Sequence, residues 1–88
     1  MSFTSTCHHI AFATKGRRRF LCDDVLPRTI EYIGGIIRRL DGQLLAGGGI
    51  PDHVHLVAVV PPTISLAEFV KKIKANSSRW IHQTFAQL

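Results

Sequence analysis

From Thr4 to Thr14 the chain reads TSTCHHIAFAT. Strict alternation sets His8, Ile10 and Phe12 on one face and Cys7, His9, Ala11 and Ala13 on the other, which predicts a first strand with one greasy face. Lys15-Gly16-Arg17-Arg18-Arg19 follow as a cationic turn. Phe20, Leu21 and Cys22 then lead into Asp23-Asp24, which read as a helix N-terminus. Between Val25 and Leu40 the apolar positions Leu26, Ile30, Ile33, Ile37 and Leu40 recur at steps of four and three, one buried helical stripe. Gly34-Gly35 weaken that helix in its middle by about 1–2 kcal/mol relative to alanine, and are expected where another backbone comes close. Asp41-Gly42 stop it.

Gln43 to Ala46 predict a short strand with Gly47-Gly48-Gly49 as its flexible end. Pro51-Asp52 turn the chain into a second strand, His53 to Val60, which Pro61-Pro62 terminate. Ser65 with Glu68 three residues on is a capping box for a second helix, whose stripe is Leu66, Phe69, Val70 and Ile73. That helix, or a continuation after a break at Asn76-Ser77-Ser78, carries Trp80, Ile81 and Phe85.

The order strand, helix, strand, strand, helix predicts an α+β fold, five sixths of a ferredoxin-like split βαβ unit without its closing strand. No repeat, linker or low-complexity run divides residues 1–88, so a single domain is expected. A chain of 88 residues buries only about 60–65% of the surface its unfolded form exposes. Together with an open sheet edge, that makes a homodimer the expected state.

Charge changes the picture. Lys and Arg outnumber Asp and Glu by 11 to 6, and the pI of about 9.9 points to a polyanionic partner, nucleic acid first, where the alternative is mere solubility. Cys7 and Cys22 form no CxxC pair, so neither a zinc site nor a disulfide framework is indicated, and a reduced cytoplasmic setting fits. The N-terminus carries no basic-then-apolar signal pattern, and no apolar run approaches the ~18 residues needed to span a bilayer.

The stretch PDHVHLV, residues 51–57, holds the candidate chemistry. His53 and His55 are two apart in a strand and therefore share a face with Val57 and Val59, whereas Val54, Leu56, Ala58 and Val60 lie beneath the helices. Paired imidazoles on a rigid strand can ligate a divalent cation; they can equally be ordinary surface or hydrogen-bonded histidines. By alternation Asp52 points to the other face, and nothing near in sequence supplies a third ligand. His9 approaches the same face if the first strand neighbours the second histidine strand, though a structural role fits both it and His8, and His82 reads as exposed.

The chain resembles the single-tyrosine transposases of the insertion-sequence-200 type and their relatives associated with repetitive extragenic palindromes. The resemblance rests on HHIAFATKGRRR, the PDHVHLV strand, PPTISLAEFV, and KANSSRW at Lys74 to Trp80, in the family's order across nearly all 88 residues. It implies an enzyme that cuts and rejoins single-stranded DNA at imperfect hairpins, with His53 and His55 holding Mg²⁺ or Mn²⁺. A tyrosine hydroxyl in such enzymes attacks the scissile phosphate, leaving a 5′-phosphotyrosine link and a free 3′-OH. The family places that tyrosine, with a polar third ligand, on a helix beyond the KANSSRW segment, and the sequence ends at Leu88. Tyr32, the chain's one tyrosine, belongs to the first helix and is not expected to reach the histidines.

Phosphate contacts are assigned to the arginine turn (Lys15, Arg17, Arg18 and Arg19) and to Lys71, Lys74, Ser77, Ser78 and Arg79 on the second helical segment. The competing reading makes the lysines a solvated helix face, the serines a helix break and Trp80 core, and for Trp80 the core reading is preferred. The expectation is thus a transposase-like protein that binds single-stranded DNA hairpins through a cationic surface and a metal-holding histidine pair, without a membrane segment. The alternative is a catalytically inactive DNA-binding remnant lacking the nucleophile.

Overall fold

A computed structural model describes residues 4–13, 21 and 24–85 of the chain. Five elements follow in order: β1 (Thr6–Ala13), α1 (Val25–Arg39), β2 (Gln43–Ile50), β3 (His53–Val60) and α2 (Leu66–Thr84). The strands form one antiparallel sheet in the order β1-β3-β2, so the histidine strand is central. This is the α+β, split βαβ arrangement that the hydrophobic periods predict.

Alternation along β3 divides the sheet into two unlike faces. Val54, Leu56, Ala58 and Val60 are each at most 3% exposed and join Ile33, Ile36 and Ile37 of α1 with Phe69, Ile73 and Ile81 of α2 in one core. Both helices therefore cover the same face. The other face carries His53, His55, Val57 and Val59 and has no helix on it among the described residues.

Local chemistry sets the helix ends. Ser65 accepts the Glu68 amide at 3.1 Å and starts α2. Asp24 stands at the N-cap of α1 but makes no side-chain cap, because its own backbone is already helical (φ −84°, ψ −10°). At the other end Asp41 takes a left-handed φ of 64°, and the Gly42 amide returns to the Ile37 carbonyl at 2.9 Å. Gly42 is obligatory for a packing reason: a Cβ there would stand 2.6 Å from the Val59 carbonyl oxygen.

Four expectations are corrected. The glycines 47–49 are not a flexible strand end; they lie within β2, because α1 crosses so closely that a Cβ at Gly47 would meet Ile30 at 2.7 Å. α2 does not break at Asn76-Ser77-Ser78: Asn76 Nδ2 donates to the Lys72 carbonyl at 2.8 Å and Ser77 Oγ to the Ile73 carbonyl at 2.6 Å, so both polar side chains are satisfied on the helix itself. Its buried stripe is Phe69, Ile73, Ser77 and Ile81, while Leu66 is 40% exposed. Finally, no backbone approaches the glycine pair of α1: a Cβ at Gly34 would make ordinary contact with the Leu44 side chain at 3.4 Å, and at Gly35 would meet nothing within 4 Å.

Candidate metal centre and nucleic-acid interface

Antiparallel register places Ala11 and Gly48 on either side of His55, and Ala13 and Ile50 on either side of His53. Residues paired across an antiparallel sheet project from the same face, so His55 stands between a methyl group and a hydrogen. Its imidazole is exposed, and a Cβ at Gly48 would find only open space. The histidine face is thus a shelf on which small neighbours leave the rings accessible.

The His53 and His55 ring centroids are 6.4 Å apart, and His9 of β1 brings a third imidazole to 5.6 Å from His55. His9 reaches this face because β1 is the immediate neighbour of β3, opposite Val57. His8 turns the other way and bonds Thr6 Oγ1 at 2.8 Å. Among the described residues, no three His, Cys, Asp or Glu side chains gather tightly enough to enclose a metal ion.

Asp52 corrects the alternation argument. It belongs to the turn before β3, not to the strand, and its Oδ1 lies 2.8 Å from His53 Nδ1. A carboxylate only accepts, so Nδ1 carries the proton and donates, and Nε2 is the nitrogen left as a Lewis base. Carboxylate-supported histidines of this kind are the usual second layer of a metal site. Two neighbouring imidazoles are donors of a type that could hold a divalent cation.

The basic residues occupy several places. Lys15, Arg17, Arg18 and Arg19 lie outside the described residues. The described residues that bracket them stand by the histidines: Ala13 pairs with His53, and the Leu21 amide bonds the Pro51 carbonyl at 2.9 Å. Lys71, Lys74 and Arg79 are exposed on α2, and Lys74 Nζ sits 6.0 Å from the Phe12 ring centroid. Lys74, Ser78 and His82 edge a cavity of about 360 Å³ floored by Phe12, Leu21 and Val54. Ser77 does not suit the phosphate-donor role, since it is 3% exposed and its hydroxyl is bonded within its own helix.

Tyr32 stacks on Trp80 between the helices, centroids 4.6 Å apart and planes within 10°. Trp80 is therefore half-buried at a helix-helix seam and not deep core, and Tyr32 lies across the sheet from the histidines.

Comparison with known proteins agrees with this geometry. Residues 2–88 match the family model described as "Transposase IS200 like". The transposase for insertion sequence element IS200 of Salmonella typhimurium is 28% identical over 85 residues, a match covering 92% of this chain and 53% of that protein. The ISDra2 transposase TnpA of Deinococcus radiodurans is 26% identical over 81 residues, covering 92% and 58%. A crystal structure of a Deinococcus radiodurans R1 protein assigned as a transposase superposes with a TM-score of 0.88 at 28% identity, over 96% of this chain and 65% of that one. The chain spans a little over half the length of the curated relatives it matches.

Proposed function

This chain belongs to the IS200-like transposase family, and on that premise we propose that its histidine strand is the metal-holding part of a site that cleaves and rejoins single-stranded DNA at hairpins. The observation that carries the reading is the pair His53 and His55 on an open sheet face, with His53 Nδ1 held by Asp52 and the small residues Ala11 and Gly48 paired on either side of His55. A DNA backbone can approach such a surface closely. Mg²⁺ or Mn²⁺ bound there would polarise a non-bridging phosphate oxygen. Asp52 holds the His53 imidazole in one tautomer, Ala11 and Gly48 keep the shelf clear beside His55, and α2 supplies positive charge for neighbouring phosphates.

The nucleophile is not Tyr32, whose ring is stacked on Trp80 on the far side of the sheet. Covalent chemistry beside His53 and His55 therefore calls for a hydroxyl other than that of Tyr32, brought to the open face. A homodimer suits this reading because, among the described residues, β1 and β2 are edge strands.

The test is incubation with Mn²⁺ and end-labelled single-stranded hairpins from the DNA flanking the gene, run on native and denaturing gels. Cleaved product, or label retained by protein after denaturation, that disappears in H53A/H55A supports the reading. A native shift alone, unchanged by metal or by H53A/H55A, replaces it with a DNA-binding remnant.

A further inference from the structure

The helical side of the molecule carries a second feature that the histidine site does not use. One exposed stripe of α1 borders a groove of about 360 Å³ against Trp80 of α2, and it includes Arg28, Gly35, Arg38 and Arg39 with Glu31 as the one acidic residue. We propose that this groove docks the phosphodiester backbone of a DNA strand, apart from the segment presented to His53 and His55. The proposal rests on the family's DNA partner but not on the metal pair.

Three observations carry it. First, three arginines stand against a single carboxylate, Glu31, and none of them takes part in a carboxylate ion pair among the described residues, where the acidic partners are Asp52 with His53 and Glu68 with Lys72. Second, helix electrostatics explain only part of the pattern. Arg38 and Arg39 sit in the last turn, where the macrodipole favours cations, but Arg28 is in the first turn, where it disfavours them and where the described carboxylates within sequence reach are Asp24 at the N-cap and Glu31 one turn on. Arg28 is instead held over the Phe85 ring, 4.8 Å from its centroid. By the rise of an α-helix the two basic ends lie about 15 Å apart, the footprint of a few nucleotides.

Third, Gly35 has no internal reason to be glycine. Mid-helix glycine is destabilising relative to alanine, and a Cβ at this position meets nothing of the protein within 4 Å. It lies in the groove between the two basic ends, where a bare backbone lets an outside chain come close. Packing accounts for Gly42 and Gly47; at Gly35 the missing side chain leaves room only for a ligand.

Trp80 is the chain's single tryptophan and lines the groove, so its fluorescence reports occupancy directly. The probe is a single-stranded oligonucleotide carrying one hairpin, titrated into the 88-residue chain at several salt concentrations. Saturable, salt-sensitive quenching is expected. R38Q/R39Q should weaken it about tenfold at moderate salt and make the log–log salt slope shallower by about 1.4 to 1.8 units. G35A should raise the thermal midpoint yet weaken binding several-fold, a combination that a merely structural role does not produce, and R28Q should weaken binding as well.

Quenching that is unchanged in G35A, R28Q and R38Q/R39Q overturns the proposal. So does a loss of self-association in these variants with DNA affinity intact, which would make the groove an interface between copies. H53A/H55A should leave the quenching as it is, which separates this groove from the histidine face; quenching lost in H53A/H55A overturns the proposal.

Discussion

Asp52 Oδ1 and His53 Nδ1 are 2.8 Å apart, a contact made by the last residue of a turn with the first residue of the strand it opens. The pair holds a partly buried imidazole in one orientation.

The first prediction concerns that contact. Asp52→Asn keeps the shape but replaces a full acceptor with an amide, so Mn²⁺ affinity should fall by about 10- to 100-fold. Calorimetric titration measures it. Equal affinity in the variant would mean that the carboxylate does not orient the ligand.

Replacing His53 and His55 together by alanine should remove specific Mn²⁺ binding while hairpin affinity stays within a few-fold, because phosphate contacts are supplied by the cationic surfaces. Gel shifts with and without chelator check this. A loss of hairpin binding larger than tenfold would place the histidines in DNA anchoring instead.

Gly42→Ala should destabilise the fold by about 1–3 kcal/mol, since the new methyl would stand 2.6 Å from the Val59 carbonyl oxygen and 3.1 Å from Phe69. Gly48→Ala, where nothing lies within 4 Å, should be neutral in the same urea titration. The two substitutions are chemically identical, so any difference measures packing alone.

Phe69→Ala should cost about 3–5 kcal/mol, as the ring is fully buried at the centre of the core. For a domain of this size, whose total stability is on the order of 4–13 kcal/mol, that is enough to threaten folding. Ser65→Ala removes the α2 cap and should cost only about 1 kcal/mol. Circular dichroism melts should rank the pair in that order.

Much of this protein is determined by the sequence alone. The alternation of His53 to Val60 states which residues face the core and which face away, and the bounds of β3 coincide with the run of that alternation. The Ser65 and Glu68 spacing marks the start of α2, and the Asp41-Gly42 pair marks the stop of α1. These are short-range features, set by side-chain period and by unsatisfied backbone groups at helix ends, and they need no partner from far along the chain.

Tertiary structure decided the rest. Gly47 and Gly49 read as a flexible tail because glycine has low strand propensity, yet both pair with β3, where Ile30 of α1 leaves no room for a Cβ at Gly47 and the His53 carbonyl leaves none at Gly49. His9 joins the histidine face only through the register of β1 on β3, a pairing across more than forty residues of chain. Asp52 belongs to the site because a turn residue is not bound by the strand's alternation. The groove of Arg28, Arg38 and Arg39 exists because α2 lays Trp80 against Tyr32. Each of these depends on which distant backbones come together, a property that no local period encodes.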